Sequence, residues 1–190
     1  DRNRVRKVRA LYRQVFEKYP DTRWADDANY HLASRVARTD EEVFALFRRL
    51  INNYPDSEWA DNALYTIAIV NYKIGDSVKE TDVLESADAY YDRALVLFNQ
   101  LIEDYPGSTF VGQARFSRAM CYYGKGLLNR TLQAFDELEE DFRDNELIHS
   151  LVYYTGMIYT EKRDYRDARI EFQKVVEAGH PELAPLAQFG

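Results

Sequence analysis

The chain has 190 residues, of which 46% are hydrophobic, with eight Gly and five Pro, so a continuous core is affordable and a many-turned β fold is disfavoured. A single cysteine, Cys121, rules out an internal disulfide framework and a cysteine-rich metal site. Set in an apolar run beside Met120 and Tyr122, it reads as a small buried hydrophobe, with a reactive thiol as the alternative. The net charge is -7, but residues 1–23 carry eight basic side chains against three acidic ones, +5, leaving -12 on the rest. That acidity argues against nucleic acid as a partner of the body of the chain. No apolar run reaches membrane-spanning length.

In residues 2–18, Val5, Val8, Leu11, Tyr12, Val15 and Phe16 recur three and four apart, the spacing of one helical face, with Arg and Lys on the others. Tyr19-Pro20 ends this helix, because a residue before proline is driven out of helical conformation. Asp21 or Thr22 is expected to cap the next helix, about 22–37. Thr39 followed by Glu42 reads as a capping box for a third helix that runs to about Asn53. Then Tyr54-Pro55 appears and the cycle restarts.

The restart is a repeat. Tyr54-Pro55-Asp56-Ser57-Glu58-Trp59-Ala60-Asp61-Asn62-Ala63-Leu64-Tyr65 copies Tyr19-Pro20-Asp21-Thr22-Arg23-Trp24-Ala25-Asp26-Asp27-Ala28-Asn29-Tyr30, and a looser copy begins at Tyr105-Pro106. A fourth, without its proline, falls at Arg143. Eight residues before these four marks stand Tyr12, Phe47, Phe98 and Phe135; four after stand Trp24, Trp59, Phe110 and Leu147. Thirteen after stand Ala33, Ala68, Ala119 and Gly156, all small, as close helix approach requires. Agreement at several offsets sets the architecture before any single motif does.

The second interval is 51 residues against 35 for the first, and the excess is an acidic insertion within Ser77–Tyr90. It reads either as a solvated lengthening of one helix pair, with 82–104 a single long helix, or as a partner-specific knob. Further helices are expected at about 108–124, 127–141, 145–161 and 165–178, with a tenth from Pro181. Gly75, Gly124 and Gly126 read as turns inside hairpins.

Helix pairs of this length carry Ala68 with Gly75, then Ala94, Phe98 and Pro106; next Ala119, Tyr122, Gly126 and Phe135; last Gly156, Tyr159, Ala168 and Phe172. This pattern resembles tetratricopeptide repeats over essentially the whole chain. The resemblance implies one all-α right-handed solenoid of antiparallel helix hairpins over residues 1–190, about four repeats plus partial terminal helices. The Tyr-Pro-Asp-Ser-x-Trp junction is similar to the bacterial envelope branch of the family, the BamD-type outer-membrane assembly lipoproteins and the Tol-Pal-associated coordinators. It implies a periplasmic or outer-membrane-associated protein, with the cytoplasm as the alternative; any lipid tether would lie upstream.

Chemistry is sparse. His31, His149 and His180 lie on different repeats without metal-ligand spacing, and Gly124-Lys125-Gly126 lacks the length of a phosphate loop. The acidic run Asp136, Glu137, Glu139, Glu140, Asp141, Asp144 and Glu146 lacks the glycine of a calcium loop and reads as a solvated face. No catalytic residue, cofactor or metal is therefore expected, and binding remains.

Ten residues after each mark stands an aromatic, Tyr30, Tyr65, Phe116 and Tyr153, with Tyr72, Met120, Tyr123 and Met157 further along the same first helices. Such a strip suits capture of a peptide or partner domain on a concave face; equally, the rings could pack between repeats. The expected function is a non-catalytic protein–protein interaction scaffold in an outer-membrane assembly or Tol-Pal-like complex. The alternatives are a helical arm of a larger peptidoglycan lytic enzyme and a self-assembling spacer. The basic first helix reads as a solvated face, a pairing face for an acidic neighbouring repeat, or a docking face for an acidic protein or surface.

Overall fold

The computed structural model describes residues 2–22, 24–37, 39–79, 86–142 and 147–188, apart from the side chains of Arg2 and Asp40. Among the described residues there are ten α-helices and no strand: α1 (Arg2–Lys18), α2 (Ala25–Arg35), α3 (Asp40–Asn53), α4 (Ala60–Val78), α5 (Ala87–Asp104), α6 (Val111–Gly124), α7 (Leu128–Glu139), α8 (Leu147–Glu161), α9 (Tyr165–Ala178) and α10 (Leu183–Ala187). The fold is the all-α hairpin array that the repeat implies. The chain divides into two compact units, residues 1–114 and 115–190. Arg143, the mark of the fourth copy, residues 80–85 of the insertion, and Asp144 and Glu146 of the acidic run lie outside the described residues.

Each tyrosine before a proline closes its helix as expected. Tyr54 and Tyr105 have near-identical backbone angles, φ -136, ψ 59 and φ -127, ψ 57, and donate N–H to Leu50 and Leu101 carbonyls four residues back. The residues after the proline behave differently from expectation. Asp21 and Thr22 do not cap α2: Thr22 closes a turn onto the Tyr19 carbonyl through both its N–H and its hydroxyl, and α2 starts only at Ala25, from Trp24. The Thr22 hydroxyl donates back into the turn, and the helix begins only at Ala25, beyond its reach as a cap. Ser57 and Ser108 close the same turn through their N–H groups onto the Tyr54 and Tyr105 carbonyls, but their Oγ atoms accept from the N–H of Trp59 and Phe110. Thr39 does cap α3, accepting from the Glu42 N–H at 3.2 Å.

Gly75 is a second correction. It is not a turn but a buried residue inside α4, where a Cβ would stand 3.0 Å from the Tyr91 ring and 3.2 Å from the Ala87 carbonyl oxygen. The inserted residues carry α4 beyond the point where other hairpins reverse, so the glycine serves close approach rather than reversal. Gly126 does reverse the chain, at φ +70, and Arg163 takes the same left-handed conformation between α8 and α9. Gly124 ends α6 as expected.

In residues 1–114 the core is built from Phe16, Leu32, Phe47, Leu50, Leu64, Ile67, Tyr91, Phe98 and Leu101, each no more than 2% exposed. In residues 115–190 the core is built from Phe135, Leu138 and Ile158, each no more than 1% exposed, with Phe142 and Phe172 at 4%. The small residues fall where helices touch. Ala33, Ala68 and Ala119 are buried, and a Cβ on Gly156 would lie 2.7 Å from the Phe172 ring. Cys121 is fully buried.

One core residue is out of character. Asn29 is 0% exposed, and among the described residues neither its amide oxygen nor its amide nitrogen finds a partner. The corresponding residue one repeat on is Leu64. Leaving a buried amide unsatisfied costs about 1–3 kcal/mol. Asn29→Leu should therefore raise the urea midpoint of the chain, and an unchanged or lower midpoint would show that Asn29 is satisfied after all. Conversely, Gly156→Ala should destabilise by about 1–3 kcal/mol through overpacking against Phe172. Gly107→Ala, where a Cβ meets nothing within 4 Å, is the matched control.

Candidate binding face on the first helices

The first helix of each hairpin carries the residues expected to meet a partner, and their rings follow one rule. In residues 1–114, Tyr30 on α2 lies 5.8 Å from Phe47 on α3, and Tyr65 on α4 lies 6.3 Å from Phe98 on α5. In residues 115–190, Phe116 on α6 lies 5.9 Å from Phe135 on α7, and Tyr153 on α8 lies 5.8 Å from Phe172 on α9. Every ladder ring thus packs on the large aromatic of its own second helix, within the range of favourable ring pairs.

Two ladder rings are covered from the next hairpin as well. Tyr30 stacks on Trp59 at 4.2 Å and 16°, and Tyr65 stacks on Phe110 at 4.8 Å and 18°. Polar contacts pin these stacks. The Trp59 indole N–H donates to Asp27 at 2.6 Å, the Tyr30 hydroxyl donates to Asn62 Oδ1 at 3.1 Å, and Ser108 donates to Asp61 at 2.6 Å. The Tyr105 hydroxyl donates to the Pro55 carbonyl at 2.8 Å, joining successive junctions, and burial pushes its ionisation up. Sequence reasoning found the rings but missed these acid and hydroxyl partners. Their signal was the Asp26-Asp27 and Asp61-Asn62 pairs inside the repeated stretch.

The expected contact residues are all at least half-covered. Tyr30, Tyr65, Tyr72, Phe116, Tyr123, Tyr153 and Met157 are intermediate in exposure, and Met120 is buried at 6%. Tyr72 tilts against the buried Tyr91 at 6.1 Å. Tyr123 sits 5.8 Å from Tyr154, which meets Tyr153 edge-on at 5.7 Å. These three tyrosines and Met157 make a patch within residues 115–190, while Tyr65 and Tyr72 share α4 in the other unit. Each of these tyrosines packs on a neighbouring ring and stays partly exposed.

Tyr123 has the strongest electrostatic signature. Burial, then its hydrogen bond to Glu161 Oε1 and the charge of that carboxylate, push its phenol well above the usual tyrosine range. The neutral phenol is the form that donates, and the folded state resists ionisation. Its contribution to stability is present below about pH 10 and is lost as the pH rises beyond that value. Glu161→Gln should bring this titration back toward the ordinary range, which the ultraviolet absorbance of tyrosinate would register. An unchanged profile would show that Glu161 does not act on Tyr123.

Among the described residues no group of three or more His, Cys, Asp or Glu side chains is placed to hold a metal ion. His149 and His180 do come within 5.2 Å, but His180 Nδ1 accepts the backbone N–H groups of Glu182 and Leu183 at the start of α10. No described helix is long and apolar enough to cross a membrane. Asp136, Glu137, Glu139, Glu140 and Asp141 are exposed, with Arg115 paired to Asp141.

The family profile described as tetratricopeptide repeat matches residues 62–108, which run from the first turn of α4 to the Tyr105-Pro106 junction. The match spans a single helix hairpin of the chain, α4 and α5. A solved structure described as the MamA RS-1 ArsTM double mutant is similar to the chain at a TM-score of 0.60 and 14% identity, covering 91% of this chain and 93% of that one. At that identity the likeness speaks for the fold alone. Comparison with curated proteins gives no match.

The rings' packing role has a measurable consequence. Tyr65→Ala should cost about 2–4 kcal/mol, toward the lower part of the range for a truncated core aromatic because the ring is only half-buried. Trp59→Phe should cost less, since it keeps a stacking partner for Tyr30 and loses only the bond to Asp27. Urea unfolding of both variants checks the order.

Proposed function

We propose that the chain is a non-catalytic protein–protein interaction scaffold whose first-helix faces hold a peptide or partner domain, within a bacterial cell-envelope complex. The tetratricopeptide-type fold supports the scaffold reading, because hairpins that bury their cores against neighbouring helices leave an extended face free. The observation that carries the contact assignment is the half-burial of Tyr65, Tyr72, Tyr123, Tyr153 and Met157. Rings fixed by a neighbour and still partly exposed are rigid apolar contacts with a polar tip, and Met157 on the same helix as Tyr153 can adapt its shape. Met120, buried at 6%, belongs to the supporting core rather than to the contact set.

The envelope setting rests on the Tyr-Pro-Asp-Ser-x-Trp junction, which resembles the envelope branch of the repeat. Placement in the periplasm or at the outer membrane follows from that reading and stands or falls with it.

Affinity capture from the native cell with mass spectrometry tests both parts. Tyr72→Ala and Met157→Ala should each reduce capture of the principal partner several-fold when compared at a temperature where urea and thermal melts show both variants fully folded. Undiminished capture by both variants would sink the first-helix assignment. Partners drawn solely from cytoplasmic complexes would sink the envelope setting.

A further inference from the structure

Tyr19, Tyr54 and Tyr105 stand before the prolines of their junctions, but before Pro181 the residue is His180. The exchange changes how the next helix begins. After Tyr54 and Tyr105 a turn closes on the tyrosine carbonyl, and the helix starts later, at Ala60 and Val111. The His180 carbonyl instead accepts the Ala184 N–H at 2.9 Å. Its Nδ1 accepts the N–H groups of Glu182 and Leu183, each at 3.3 Å. A carbonyl bonded four residues on and a side-chain acceptor bonded two and three residues on are the bonds of a helix cap. Glu182 makes no side-chain cap of its own. Among the described residues, His180 therefore satisfies the N–H groups that open α10.

That cap depends on charge. Nδ1 accepts only while the imidazole is neutral, and a proton there makes it a donor facing two other donors. The imidazolium also sets positive charge at a helix start, where the backbone dipole is already positive. On α8, His149 is the only ionisable group before Tyr153, and its ring lies 5.2 Å from that of His180. A charge on both adds repulsion between like charges. On α9, Lys174 is held by Glu171, and Glu177 accepts from Gln173. Glu177 and the exposed Glu182 are the carboxylates nearest in the chain, and an imidazolium bonds to a carboxylate rather than to two N–H groups.

Helix α10 lies on α9 and α8, with Ala187 buried at 5%. Between α10 and α9 is a cavity of about 420 Å³, lined by Tyr165, Ala168, Phe172, Val176 and Ala187 among others. Lining atoms on a void lack packing partners, so the cap carries more of the task of fixing α10 in place. We propose that α10 is a pH-sensitive latch: neutral His180 holds it on α9, and protonation of His180 releases it. Histidine changes charge within roughly pH 5 to 8, so the latch is closed at the upper end of that range and lost as the pH falls. Release uncovers the α9 wall of the cavity, including Phe172, the ring that backs Tyr153.

NMR on the 190-residue chain tests it, with backbone ¹³C shifts of residues 182–187 reporting helix and the His180 ring signals reporting its protonation. Between about pH 8 and about pH 5 the helical population of α10 should fall roughly fivefold, the size of one lost cap, in step with the ring titration. Helices α8 and α9 should keep their shifts throughout. His180→Asn caps without titrating and should keep α10 helical at both ends of the range, whereas His180→Ala should weaken it at both. Equal helix at both ends in the parent overturns the proposal. So does a pH-dependent loss that His180→Asn leaves in place, or an undiminished helix in His180→Ala. Loss of α8 and α9 together with α10 would also overturn it and assign the change to acid unfolding of residues 115–190.

Discussion

A helix hairpin of this size cannot bury its own apolar faces, so everything depends on contacts between aromatic rings in its seam. The decisive one is the pair formed by a ring on the first helix and a ring on the second, Tyr30 with Phe47, Tyr65 with Phe98, Phe116 with Phe135 and Tyr153 with Phe172. Rings this large fit only if the helix beside them is thin. That is why the positions three residues further along the first helix are Ala33, Ala68, Ala119 and Gly156, and why the Gly156 backbone lies almost on the Phe172 ring. Large and small positions form one constraint, and neither can vary without the other.

The seam between Tyr30 and Trp59 shows how a non-directional contact is given a fixed geometry. Stacking tolerates sliding, but Asp27 holds the indole N–H and Asn62 accepts the tyrosine hydroxyl, so the two rings have one offset. The Tyr65–Phe110 seam lacks an indole and uses Ser108 on Asp61 instead. A phenylalanine has nothing to bond, and the polar pin moves to the neighbouring serine. Burial is what gives such bonds weight, since the groups would otherwise be left without water.

The fold was legible because apolar spacing and the thrice-written junction report the same architecture at independent positions. The ring ladder and its small counterparts could be placed from register alone. What could not be read was competition for local hydrogen bonds. Thr22 is expected at a helix start because threonine suits a cap, but a turn intervenes: its N–H and hydroxyl both donate to the Tyr19 carbonyl, and α2 begins only at Ala25. Gly75 was expected to reverse the chain because Gly126 does so at the same offset. An insertion downstream prolonged α4, and the same residue became a space for Tyr91. The partners Asp27 and Asp61 were visible as residues but not as acceptors, because an exposed-looking acid on a helix start has a dipole reason to be there already.

On the candidate face, packing and recognition are not competing roles for the same ring. A side chain that must be immobilised by its ligand loses rotamer freedom on binding, of the order of 0.5–1.5 kcal/mol for each flexible side chain. Tyr65 and Tyr153 have already lost that freedom to Phe110 and Phe98 in one unit and to Phe172 and Tyr154 in the other. The partly exposed rings therefore offer area at little further entropic cost.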